Sequence, residues 1–168
     1  LQPGIYTYWI MHANSFLKEG GRLGMIISNT WLQTTYGIGF GNFLLDHFRI
    51  KAVIDFAAKL FEGALITTCI VLAEQEGDEA KRRENEVAFI HIPGEVESAD
   101  VGGLLEAVEI GGAEEYKVTL VKQKEVPRDQ KWIDIFFKPV DISGHTLMTK
   151  LGDFFEPSGG NSTYSVLT

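Results

Sequence analysis

The chain has 168 residues, 45% hydrophobic and 23% charged, with 15 Lys and Arg against 23 Asp and Glu for a formal net charge of -8. This ordinary globular composition at this length allows one sizeable core and excludes collagen-like, disordered and disulfide-scaffold classes. No apolar run approaches the ~20 residues that span a bilayer, and the single cysteine, Cys69, fits a reducing compartment, with a cytoplasmic location as the expectation.

In chain order, Tyr6, Trp9, Ile10, Ala13, Phe16 and Leu17 fall at helical spacing before Gly20 and Gly21, which predicts a helix over about residues 5–19. The run RLGMIIS reads as a strand buried on both faces, hence a parallel-sheet strand ending near Ser28 and Asn29. After a loop, GNFLLDHF offers a short helix, followed by strand IKAVIDF, a connector AAKLFEGALI and strand TTCIVLAEQ. That connector holds no helix of crossover length, so the last two strands should pair antiparallel. GDEAKRRENE reads as a solvated loop, VAFIHI as a strand and SADVGGLLEAVEIGG as a short helix. YKVTLVKQKEV reads as an alternating strand, and WIDIFF offers one more. The expected fold is α/β, a mostly parallel sheet with an antiparallel edge pair.

Charge is unevenly placed. Residues 1–74 hold five bases and five acids, so the remainder carries the whole excess of acid. Nucleic-acid binding therefore gains no support from net charge and has to rest on motifs. Gly37, Gly39 and Gly41 resemble a phosphate loop only in composition: the spacing is not G-x-G-x-x-G and eight residues separate the cluster from the strand, so a flexible connector is the better reading. His12, His47, His91 and His145 form no metal-ligand pair by spacing. The Lys81, Arg82, Arg83 triplet is flanked by Glu79 and Glu84 and reads as solvated surface. Asp55, at a strand end, is a weak candidate for a base or metal ligand, having no second carboxylate or histidine nearby in sequence. Trp31, Tyr36 and Phe61 stand in connectors at the sheet edge where open α/β folds bind ligands, placed to stack on a flat group such as a nucleobase.

The order GIYTYWIMHANSFLKEGGRLGMIISNTWLQTTYG, FLLDHFRIKAVIDF, KLFEGALITTCIVLAEQ resembles the second half of the catalytic domain of N6-adenine DNA methyltransferases, in the branch of type I and fused type II restriction-modification methylases. The resemblance is best over residues 5–75. It implies a Rossmann-like, S-adenosylmethionine-dependent methyltransferase sheet of seven strands with the last inserted antiparallel, of which this chain supplies the fifth onward. It also implies methyl transfer to an adenine flipped from the duplex, because a stacked base cannot meet an in-line donor. Two motifs of the family, Asn/Asp-Pro-Pro-Tyr/Phe and the glycine-rich cofactor loop, do not occur in this chain. Catalytic residues are therefore expected upstream, S-adenosyl-L-methionine is expected to be bound mainly there, and this segment should be inactive alone.

By position, the resemblance implies that Phe61 packs against the flipped adenine and that Asn29 with Trp31 lines its pocket. It implies double-stranded DNA as the substrate of the full-length protein, with specificity or restriction subunits as partners and no membrane. Gly39 to Gly41 stand where the family's helix usually opens with a basic residue, a departure that puts in question any backbone-phosphate contact the resemblance would imply from that helix. Residues 1–92 are thus expected to be the methyltransferase half, 93–145 an α+β extension, and 146–168, with Leu151, Gly152 and Phe155, the start of a target-recognition domain. A start at Leu1 and an end at Thr168 inside an apparent element fit a piece of a longer protein. Two rival readings remain at this stage, a small-molecule or RNA methyltransferase and a non-catalytic α/β interaction module.

Overall fold

Residues 2–61, 66–94, 116–137, 155–157 and 164–166 are described by the structure, a computed structural model. Helix α1, Ile5–Asn14, buries Thr7 and Ile10, and the Thr7 hydroxyl donates to the Gly4 carbonyl at 2.7 Å. The chain then reverses at Gly20, whose φ of 73° is the left-handed conformation that only glycine adopts without cost. It enters β1, Arg22–Ser28, and a 3-10 turn, Asn29–Gln33. Helix α2, Thr35–His47, leads into β2, Phe48–Phe56, and β3 covers Thr68–Gln75. Helix α3, Glu79–Glu84, precedes β4, Glu86–Ile92; β5 is Lys117–Lys122, and one helical turn follows at Ile133–Phe136.

The five strands form one sheet in the order β1-β3-β2-β4-β5. β3 is antiparallel to both β1 and β2, β2 and β4 are parallel, and β4 and β5 are antiparallel. The expected antiparallel pairing of β2 with β3 is present. The expectation of a mostly parallel sheet is corrected: one pairing of the four is parallel, because β3 lies between β1 and β2 instead of at an edge and β5 returns against β4. β1, β2 and β4 nonetheless run the same way, so their carboxyl ends share one edge. β1 is also not buried on both faces. It pairs with β3 alone among the described strands, and Ile26 is 52% exposed.

One face of the sheet carries the main core. Ile27, Ile50, Val53, Cys69, Val71, Val87 and Phe89 pack there with Ile10, Trp31, Phe40, Leu44, Trp132 and Phe136. Ala52, Ile54, Phe56, Ala88, Ile90 and Ile92 form a second cluster, with Leu60 and Val118 against it. The five-strand sheet belongs to a unit spanning Leu1–Lys138. A second unit, Pro139–Thr168, contains a two-stranded antiparallel pair, β6 (Phe155–Pro157) and β7 (Tyr164–Val166).

Three local expectations change. Residues 79–84 are helical, not a loop, because the Asp78 carboxylate caps the first turn by accepting from the Ala80 and Lys81 amides. WIDIFF is a helical turn, not a strand, since Trp132 and Phe136, four residues apart, are both buried on Phe89. The glycine cluster lies inside α2. A Cβ on Gly37 would come within 1.6 Å of the Trp31 carbonyl oxygen and one on Gly41 within 2.9 Å of the Trp132 ring, so these glycines let the helix approach closely and are no flexible connector. The helix expected over residues 98–112 and the positions Leu151 and Gly152 lie outside the described residues.

Candidate functional site

The strands bring four polar side chains to the shared carboxyl edge. Asn29 leaves β1, Asp55 is the penultimate residue of β2, His91 holds the same place in β4, and Thr67 precedes β3. Asp55 and His91 are direct partners in the parallel register. Asn29 Nδ2 donates to Asp55 Oδ1 at 2.8 Å, and Thr67 Oγ1 donates to Asn29 Oδ1 at 2.8 Å. His91 Nδ1 lies 3.0 Å from Asp55 Oδ2. A main-chain bond from the Asn29 amide to the Thr67 carbonyl at 3.2 Å closes the ring of contacts. Asp55 is 3% exposed and Asn29 7%, so this carboxylate is removed from solvent and compensated by two hydrogen bonds. A carboxylate oxygen of Asp55 facing Nδ1 accepts the ring proton carried on that nitrogen. The imidazole in turn meets the Phe137 ring edge-on at 4.7 Å, with the Lys117 ammonium 5.2 Å from that ring's centre.

Trp31 is placed differently from the expectation. The indole is 1% exposed, donates from Nε1 to Cys69 Sγ at 3.3 Å, and packs edge-on to Phe40 and Trp132 at 5.0 and 5.3 Å. It supports the 3-10 turn from beneath and presents no face to a ligand, because the turn directs it onto the sheet. Burial pushes the Cys69 thiol up to about 12, with the nearby Asp55 adding to the rise. Tyr36 is tied to Tyr6 through their hydroxyls at 2.8 Å, and burial with that contact raises the Tyr6 phenol well above its usual value.

Phe61 stands in the connector after β2 with 51% of its surface exposed, while its neighbour Leu60 is anchored on the second apolar cluster. Of the three residues that the resemblance puts at the adenine pocket, Phe61 is open, Asn29 is engaged in the polar ring and Trp31 is core. His91 and Thr67 were not singled out. The signal for His91 was present: AVIDF and VAFIHI each carry one polar residue in the penultimate position of an apolar strand run, and parallel neighbours in register place such residues side by side.

Among the described residues no group of three His, Cys, Asp or Glu is arranged to hold a metal ion. Gly37 and Gly41 serve the close approach of α2 to Trp31 and Trp132, not a phosphate loop. No helix of the described residues is long and apolar enough to cross a membrane.

The strand order and edge are those of a mixed α/β sheet with one parallel pair among the described strands. Residues 2–61 match the family described as Eco57I restriction-modification methylase. A solved structure of the type IIG restriction endonuclease BpuSI superposes with a TM-score of 0.58 at 17% identity, covering 79% of this chain and 16% of its own. A structure from a type I R-M system, described for its complex assembly and conformational transition, gives a TM-score of 0.54 at 15% identity, covering 79% of this chain and 32% of that one. The chain therefore spans well under half the length of either, and at these identities the likeness is one of fold. A search of the curated proteins gives no match.

Proposed function

We propose that the parent protein is a site-specific DNA adenine-N6 methyltransferase of a restriction-modification system, acting in the cytoplasm, and that this chain forms one wall of the pocket for the flipped adenine. The observation that carries the reading is the exposed Phe61 ring at the carboxyl edge of the sheet, with Leu60 holding the connector beneath it. A base turned out of the duplex loses its stacking partners, and an aromatic side chain on a fixed connector replaces one of them. Asn29 and Trp31 shape the edge from below through the Asp55 and Cys69 contacts. S-adenosyl-L-methionine is the proposed methyl donor, held mainly by residues outside this chain, so the chain alone should be inactive. The rest of the sheet is proposed to be the Rossmann-like arrangement of such enzymes. Double-stranded DNA is the proposed substrate, with specificity or restriction subunits as partners.

The test is Phe61→Ala in the intact parent protein. Stacking worth about 1–3 kcal/mol per base predicts a fall in duplex methylation of about five- to hundredfold. Calorimetric affinity for S-adenosyl-L-methionine should stay within about twofold of wild type, as a side chain that stacks on the base and not on the donor predicts. Equal loss of cofactor binding would remove Phe61 from the base pocket, and an unchanged methylation rate would do the same.

A further inference from the structure

The polar groups of Asn29 are occupied inside the protein: its amide nitrogen donates to Asp55 and its amide oxygen accepts from Thr67. It is 7% exposed, so its functional groups hold structure at the edge. The contacts tie together segments that are remote in sequence, the exit of β1, the end of β2, the end of the connector that carries Phe61, and the tip of β4. Main-chain bonds run beside them, from the Asn29 amide to the Thr67 carbonyl and from the Ala57 amide to the Ile92 carbonyl at 3.0 Å. We infer that Thr67, Asn29, Asp55 and His91 form a clamp, buried at Asn29 and Asp55 and half-buried at Thr67 and His91, and that Asp55, His91 and Thr67 are positioning residues which fix the β1 exit and the two ends of the Phe61 connector. The inference rests on the proposed base-pocket reading for its consequence in catalysis, though not for the clamp itself.

The chemistry predicts an ordered series. Asp55→Leu removes both carboxylate bonds and leaves Asn29 Nδ2 and His91 Nδ1 without them. Asp55→Asn keeps both, its amide oxygen accepting from Asn29 and its amide nitrogen donating to His91 Nδ1 in the other tautomer. Thr67→Val deletes only the bond to Asn29 Oδ1 at nearly constant shape.

The experiment uses the intact parent protein and two readouts, hydrogen exchange at the Asn29 and Ala57 amides and N6-methyladenine formation on plasmid DNA lacking adenine methylation. Exchange should quicken about tenfold in Asp55→Leu and about fivefold in Thr67→Val, and stay near wild type in Asp55→Asn. kcat should fall in the same order, with KM for the plasmid unchanged. If Asp55→Leu fails to fold, Thr67→Val against Asp55→Asn decides. Unchanged exchange in Thr67→Val overturns the clamp, and faster exchange with unchanged kcat overturns the positioning role. Faster exchange in a protein whose wild type makes no N6-methyladenine leaves the clamp standing and removes the adenine reading instead.

Discussion

Cys69 sits opposite Asp55 in the β2/β3 register and is fully buried beneath the Trp31 indole. Its thiol, raised to about 12 from an ordinary 9.0 mainly by burial, remains neutral at physiological pH. Because the folded value lies above the unfolded one, the neutral thiol's contribution to stability is complete below pH 9.0 and is lost as pH rises toward about 12. Iodoacetamide at pH 8 should leave the folded chain unmodified and label Cys69 fully in guanidinium, since the thiolate is the nucleophile. Rapid labelling of the folded chain would show the sulfur to be accessible. The cysteine's inertness was partly legible, because ITTCIVLA is an apolar run. The pairing of Asp55 with His91 left only an indirect mark, one penultimate polar residue in each apolar run, because 36 residues separate them and the parallel register brings them together.

Helix α2 owes its position to its glycines. Gly37 passes so close to the Trp31 carbonyl that a methyl group there would displace the helix or the 3-10 turn, whereas Gly39 meets nothing within 4 Å of its would-be Cβ and faces solvent. Gly37→Ala should therefore cost about 3 kcal/mol or more, as overpacking against backbone does. Gly39→Ala should stabilise by about 0.5–1 kcal/mol, the helix-interior difference between the two residues. Urea titrations of the two variants check the opposed signs, and equal effects would mean that Gly37 has room. The same glycines explain why α2 was read to begin near Gly41 when it begins at Thr35. Low helix propensity signals a loop locally, and tertiary packing reverses it. Strand positions were more legible: RLGMIIS coincides with β1, and AVIDF and VAFIHI fall within β2 and β4, because apolar runs of that length bounded by polar residues have few other uses. Sheet order was less so, since the insertion of β3 between β1 and β2 leaves no mark on either strand's own pattern.

Among the described strands the sheet ends at β1, whose chemistry gives no reason to end there. Natural edge strands are blunted by charges, proline or bulges. β1 runs in unbroken register from Arg22 opposite Glu74 to Ser28 opposite Thr68, and its central residues, Leu23 to Ile27, carry no charge. Ile26 is half exposed on the face turned away from the main core, to which its neighbour Ile27 belongs. A parallel-type continuation beyond β1, as the proposed methyltransferase sheet requires, would pair the main-chain groups that face away from β3. In an antiparallel pair alternate residues direct their amides toward the partner and the rest away from it. The 168-residue chain alone should thus show fast and slow amides alternating along β1, and the intact parent should show all of them slow. Amides that face away from β3 and exchange equally fast in both would place the true edge of the sheet at β1 and remove the continuation.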